Sequence, residues 1–252
     1  MTRHLLLVPF LSAAFVASAS ADEIFSLKFG FAYIEPEGTF SGDDGVTSTE
    51  INFKDDLDFE ASRGLVAEVA LQGGRFWLSA TYLPMDFSSS GTANRDIVFR
   101  GRVFTVGTDV RSDVTIDFLD FGLAYHILDF DYGSLRIQLG PEVAVKYANI
   151  EMFIEEIRGI ESESVSATEV APTIGVRIRG SIGDFLSVVG RIGYFEHDDE
   201  SLLDAEIQTE YSPLPMLGVF VGYRYIDVDL HDSGATLDST FSGPYVGAVA
   251  RF

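Results

Sequence analysis

Leu135-Arg136-Ile137-Gln138-Leu139-Gly140-Pro141-Glu142-Val143-Ala144-Val145-Lys146-Tyr147 reads with a period of two. Leu135, Ile137, Leu139, Val143, Val145 and Tyr147 share one face, and Arg136, Gln138, Glu142 and Lys146 share the other. A helix would gather its apolar residues every three or four positions. Alternation instead makes a strand with one apolar and one polar side. The pattern recurs along the chain and predicts ten strands. They lie at about Ile24–Glu35, Glu60–Leu71, Arg75–Ser88, Val110–Leu128, from Leu135 onward, Thr168–Ser181, Phe185–Phe195, Leu202–Ser212, Leu217–Asp229 and Ser239–Phe252.

The connections alternate between short and long. Gln72-Gly73-Gly74, Phe130 to Ser134, Gly183-Asp184 and Pro213-Leu214-Pro215 are short and rich in the Gly and Pro of tight turns. Segments 36–59, 89–109, 155–167, 196–201 and 230–238 are long polar loops on this reading. An antiparallel up-and-down barrel has this rhythm, with an even strand number and both chain ends on the turn side. Segment 89–109 holds Ile97-Val98-Phe99 and Val103-Phe104-Thr105 around Arg100-Gly101-Arg102. Arms this short predict a hairpin rising above a bilayer. Two further spanning strands there would make twelve, and eight would require one counted hairpin to stand outside the barrel.

Composition points to a membrane. The formal charge is −22, yet aromatics make up 13% and mean hydropathy is +0.18. That describes an ordered chain with much apolar surface. No stretch after residue 21 has eighteen consecutive apolar residues. Backbone polar groups in lipid must be paired internally, and without a spanning helix a closed barrel does this. A soluble β-sandwich also alternates. It needs no tyrosines at strand ends on its apolar face, where Tyr33, Tyr82, Tyr125, Tyr147, Tyr194, Tyr211 and Tyr225 fall, as an aromatic girdle would. Strong negative charge excludes nucleic-acid binding by phosphate neutralisation. The absence of cysteine excludes disulfides and thiolate metal sites.

The two ends complete the picture. Arg3 and His4 precede an apolar run from Leu5 to Val16, and Ala19-Ser20-Ala21 is an A-x-A cleavage site. Residues 1–21 therefore read as a signal peptide and 22–252 as the barrel. Loss of Arg3 moves the charge to −23. The chain closes Gly243-Pro244-Tyr245-Val246-Gly247-Ala248-Val249-Ala250-Arg251-Phe252, an alternating strand ending in an aromatic. These ends resemble those of bacterial outer-membrane β-barrel proteins, in the manner of the small OmpA- and OmpW-like barrels. The resemblance implies that Tyr245, Gly247 and Phe252 form the signal read by the barrel assembly machinery. It also implies a monomer in outer-membrane lipid and lipopolysaccharide, with a structural or surface-interaction role. A narrow porin for small solutes is the alternative.

The polar faces turn inward on this reading. Glu68, Asp120, Glu142, Glu169, Asp204, Glu206 and Glu210 face Lys28, Arg75, Arg136, Lys146, Arg177, Arg179, Arg191, Arg224 and Arg251 across the lumen. A ten-stranded ring is narrow, so these side chains would occupy much of it. The expected network pairs Arg136, Arg177, Arg179 and Arg191 with Glu142, Glu169, Glu206 and Glu210, closing the lumen. The excess acid then lies in the loops.

Chemistry is thinly signalled. His126 is expected inward at the turn end of strand four. Asp229-Leu230-His231 and Asp198-Asp199 resemble the aspartate and histidine parts of the omptin proteases, which are also ten-stranded. Acids fill every loop here, so the expectation is no enzyme, no cofactor and no metal. Asp43-Asp44, Asp55-Asp56-Leu57-Asp58 and Glu196 to Glu200 could meet a hard cation, but lack EF-hand spacing and read as solvated loops. Ile51 to Leu57 is reminiscent of a stretch in some proteobacterial barrel proteins, which implies location and no activity.

Overall fold

In the computed structural model, residues 25–41, 49–56, 58–159, 161–198, 200–214, 216–232 and 235–252 are described. Asp43-Asp44, Asp199 and the residues expected to form a signal peptide lie outside this set. Ten long strands form the wall: β1 (Phe25–Ser41), β2 (Ser62–Gly73), β3 (Phe76–Thr92), β4 (Asp109–Tyr125), β5 (Leu135–Glu156), β6 (Ser162–Ile182), β7 (Leu186–His197), β8 (Glu200–Leu214), β9 (Leu217–Asp232) and β10 (Ala235–Arg251). Each pairs antiparallel with its sequence neighbours, and β1 pairs with β10, so the sheet closes. The last rung is made by the chain ends. The Phe252 amide donates to the Phe25 carbonyl at 2.8 Å, and the Phe25 amide donates back at 3.2 Å. This is an all-β, closed antiparallel barrel of ten strands, neither eight nor twelve.

Alternation sets each face as read from the sequence. Phe29, Phe31, Leu65, Leu78, Phe121, Val145, Ile174, Ile207 and Val246 are exposed outward. Ser26, Lys28, Asp120, Ala144, Arg177 and Glu210 are buried inward. Tyrosines collect at two levels. Tyr82, Leu119, Tyr147 and Val170 share one register line across β3 to β6, and Tyr194 pairs with Leu203. At the opposite end Tyr125 meets Phe76 with ring centres 4.9 Å apart, and Phe252 meets Phe25 at 5.9 Å.

One end carries the chain termini and the tight connections. Gly133 and Gly183 take positive φ there, 65° and 54°, which a glycine adopts without strain. The β4–β5 connection is longer than a turn. Leu128–Tyr132 pairs with Leu135–Leu139 and extends the hairpin beyond the wall. Strand four therefore ends at Tyr125, short of the Leu128 expected.

The opposite, loop end departs furthest from the sequence reading. Segments 155–167, 196–201 and 230–238 are mostly strand. Their polar residues hid apolar ones on the inner face, among them Val165 and Leu237, both buried. The β5–β6 hairpin rises highest, with strands of 22 and 21 residues, against 12 and 15 for β7 and β8. The 89–109 segment does contain a hairpin, Ile97–Phe99 with Arg102–Phe104, outside the main sheet.

The interior has two storeys. The turn half is charged. The loop half is apolar, filled by Ile34, Leu83, Met85, Phe87, Val114, Ile116, Phe118, Ile150, Met152, Ile226 and Phe241. Two loops close over it. Ile51–Asn52 pairs with Thr39 and Phe40, and the following turn drops Phe53 inward. The Phe53 ring centre lies 4.9 Å from that of Phe40 and 5.2 Å from that of Phe59, while Phe87 stacks on Phe241 at 5.5 Å. Ile97, Phe99 and Phe104 of the outer hairpin are buried in the same cluster.

Candidate functional site: the charged half of the lumen

Directly opposed residues on neighbouring strands supply the first ion pairs. Lys28 and Glu68 share a register position on β1 and β2, with Nζ and Oε1 2.9 Å apart. Asp120 and Lys146 do the same on β4 and β5 at 2.6 Å, and Arg191 and Glu206 on β7 and β8 at 2.5 Å. Alternation puts each partner on the inner face, and antiparallel register sets it opposite the other.

Longer side chains then cross the lumen. At mid-height, Asp120 accepts from Lys146, from Arg191 at 2.7 Å and from Arg224 at 3.1 Å. Asp204 accepts from Lys146 and, at 3.0 and 2.9 Å, from Arg224, while Arg191 stands 3.4 Å away. Two carboxylates therefore hold three cations from β5, β7 and β9. These five side chains are 0–8% exposed, so solvent does not reach the layer.

Nearer the turn end, Glu210 is a hub. Lys28 lies 2.7 Å away, Arg179 at 3.6 Å, and Arg251 also donates to it. The Ser187 hydroxyl and the Gln208 amide donate at 3.1 and 2.5 Å. Arg177 reaches Glu142 at 3.2 Å and lies over Trp77, 4.6 Å from the ring centre, with Arg179 over the same ring at 5.6 Å. Tyr245 donates to Glu206 and, at 3.1 Å, to Gln208. Every wall strand thus places at least one side chain in the network, β3 through Trp77.

The expected network is in part assembled. Arg177 with Glu142, Arg179 with Glu210 and Arg191 with Glu206 come together. Arg136 does not join them; it forks onto Asp129 of the extended hairpin at 3.0 and 2.9 Å, part-exposed at the turn-end mouth. Arg75 sits exposed in the β2–β3 turn, where its carbonyl accepts from the His126 amide at 2.8 Å. A turn residue has no inward face to occupy. Without these two, seven bases face seven acids, Glu169 included, so the interior is balanced. Alternation alone places the centre of the network, Asp120 and Asp204 with Lys146 and Arg224, inward, but does not pair its members. The signal for it was the register that sets Asp120 against Lys146.

The other singled-out residues lie at the two ends of the barrel, with Asp229 paired to Ser201 beside the β7–β8 turn. His126 is wholly buried at the turn end. Asp198 is exposed at the tip of the β7–β8 turn, with φ of 51°, and His231 belongs to β9 with its side chain outside those described. Asp56 clasps Arg95, at 2.9 and 2.5 Å, and Arg95 also donates to the Glu50 carbonyl. Burial pushes the Asp56 carboxyl up, but its hydrogen bonds from Arg95 and the Asn52 amide hold it below the ordinary value. Among the described residues no group of three or more His, Cys, Asp or Glu could hold a metal ion. Of the terminal residues, Phe252 is exposed and Tyr245 buried. Gly247 faces Gly30 across β10 and β1, where a Cβ would meet the Phe29 carbonyl at 2.2 Å and the Phe220 ring at 2.6 Å.

No protein-family model and no curated protein sequence matches the chain. Solved structures do resemble it. The outer membrane protease OmpT from Escherichia coli aligns with a TM-score of 0.53 at 10% identity, covering 94% of this chain and 99% of that one. The translocator domain of the autotransporter NalP from Neisseria meningitidis gives 0.48 at 11%, covering 92% and 90%. The attachment invasion locus protein Ail of Yersinia pestis gives 0.40 at 11%, covering 92% and 100%. At such identity the likeness to OmpT is one of fold: the small bacterial outer-membrane β-barrel.

Proposed function

We infer that this chain, which has the fold of the small bacterial outer-membrane barrels, is a closed barrel of the outer membrane with a structural or surface-interaction role. The observation that carries the reading is the Asp120–Asp204 layer. In a water-filled pore those carboxylates and their three cations would be wetted; here they are buried among one another. Ion pairs this dry are mutually satisfied and hold the wall strands in place. Above them the apolar storey and the Phe53 cap offer an ion no hydration at all.

On this reading the turn end faces the periplasm and the loop end faces out of the cell, so the two clasped loops and the tall β5–β6 hairpin form the presented surface. The ten strands close into one sheet through the β1–β10 pair, which suits a monomer in lipid and lipopolysaccharide. Tyr245, Gly247 and Phe252 are the residues through which the assembly machinery would recognise the last strand. Planar-bilayer recording tests the closed lumen: the refolded protein should show no steady unitary conductance. A large, stable single-channel step would overturn the reading in favour of a solute pore.

A further inference from the structure

The wall is notched beside the apolar storey. β6 pairs with β5 along its full length, from Ser162 to Ile182, but with β7 only from Ile174 to Ile182. The topmost rung of the β6–β7 ladder is Ile174 with Tyr194. Above it, Ser162 to Thr173 pair in the sheet with β5 alone; β7 runs three residues further, Phe195 to His197, without pairing to β6 before the turn at Asp198, and β6 continues upward.

A cavity of about 40 Å³ lies at this level. Its deep wall is Met85, Ile116, Phe118, Leu202, Ile226 and Phe241, all buried. The partly exposed apolar residues of its lining are Ala148 of β5, Ala171 of β6, Phe195 of β7, and Val228 and Leu230 of β9. Ala171 and Phe195 flank the unpaired stretch. The partly exposed lining thus falls on β5, β6, β7 and β9, and on the β6–β7 side it borders the interrupted ladder.

The size and lining select the occupant. The space suits about three water-sized groups; Lys146 at its floor is held by Asp120 and Asp204, Glu169 stands at its edge, the rest of the lining is apolar, and an apolar cavity stays dry. A single alkyl chain end fits both conditions. Carboxylates surround the entrance: Glu169 on β6, Glu196 on β7, Asp198 in the turn and Glu200 on β8. Arg100 and Arg102 lie higher, at the tip of β6, where Arg100 reaches the Ser164 carbonyl and Arg102 is held by Glu161 and Glu163. A negative head group would meet like charge at the notch.

We propose that the notch between β6 and β7 admits the alkyl chain of a neutral or cationic single-chain amphiphile into the apolar storey, beside Ala171 and Phe195. The charged layer below forms the floor, so the chain enters from the side and does not traverse the barrel.

The test is methyl NMR of the full-length mature protein in nanodiscs, titrated separately with dodecyltrimethylammonium, 1-dodecanol and dodecyl sulfate. The expected result is saturable shifts of the Leu202, Ile226 and Val228 methyls with the first two. Dodecyl sulfate should bind more weakly by about tenfold or more, as repulsion of one unit charge by nearby carboxylates implies. Ala171→Trp, which fills the entrance, should abolish the shifts while the protein keeps its heat-modifiable band. Ala148→Phe is the second blocking variant should the first not fold. Varying nanodisc concentration at fixed amphiphile separates entry from the bilayer, which tracks mole fraction in lipid, from entry out of water, which tracks free concentration; saturation on either scale supports the site. Absent shifts, equal response to dodecyl sulfate, or shifts unchanged in both folded blocking variants would overturn it.

Discussion

Arg191 Nη1 lies 2.7 Å from Asp120 Oδ2, 71 residues earlier in the chain, and the bond ties β7 to β4 across the lumen. Asp120 serves Lys146 and Arg224 as well. Asp120→Asn would leave three buried cations around Asp204 alone. Removing one partner of a buried pair costs about 3–5 kcal/mol. Asp129→Asn breaks only the part-exposed pair with Arg136, worth about 1 kcal/mol or less. Urea unfolding in detergent or lipid should rank Asp120→Asn well below Asp129→Asn; equal midpoints would show that the mid-height layer does not hold the barrel.

The inner and outer faces of β5 make a second contrast. Val145 is 46% exposed on the outside, and Ala144 is 6% exposed within. Val145→Arg should impair insertion by about 2–4 kcal/mol, the cost of a cation on the lipid face near the midplane. Ala144→Ser should be nearly silent in the same refolding titration, since a hydroxyl there meets a polar interior. The reverse order would mean that β5 is one residue out of register.

Phe252 offers both a backbone rung and a ring. Deleting it removes two hydrogen bonds to Phe25 and the ring contact, whereas Phe252→Ala keeps the rung. The deletion should lower the folded fraction in vitro and in cells, with secretion intact. Phe252→Ala should refold nearly normally in vitro yet accumulate poorly in the outer membrane, if the assembly machinery reads the aromatic. Wild-type membrane yield from both variants would remove Phe252 from that role.

The loop clasp should depend on acid. The folded-state value of Asp56 is lowered, so its contribution is fully present above the ordinary aspartate value of 3.8 and fades as pH falls through the folded value. Hydrogen exchange at Asn52 and Asp58, whose amides lie in the clasped loop, should be steady from pH 7 to about 5, after correction for intrinsic rates, and accelerate below about pH 4. Asp56→Asn should show the faster exchange already at neutral pH.

Much of this fold is written in the period-two pattern, because the lipid face and the interior impose opposite demands on adjacent residues. The inward charges of the turn half, Lys28, Asp120, Lys146 and Glu210 among them, are legible in that way. Height was not. Segments such as 155–167 look like loops because, above the bilayer, the outer face of a strand meets water and turns polar. Only Val165 betrays the inner face there. The apolar storey is hidden for a related reason: its buried residues come one to four at a time from eight strands and two loops, and no strand alone looks like a core. Trans-lumen pairs such as Lys28 with Glu210 depend on strand stagger, which alternation does not encode. His126 was placed correctly at the turn end, since Tyr125 outward fixes its successor inward.

The division of the interior at the level of Lys146 gives the two ends different responses to temperature. Burial of apolar groups weakens on cooling. The cost of dehydrating ions falls on heating. The phenylalanine-capped end is therefore the one that loosens first in the cold, and the ion-paired end the one that gains relatively as the membrane warms. A single barrel so built carries two fastenings with opposed thermal coefficients, joined by strands that run through both.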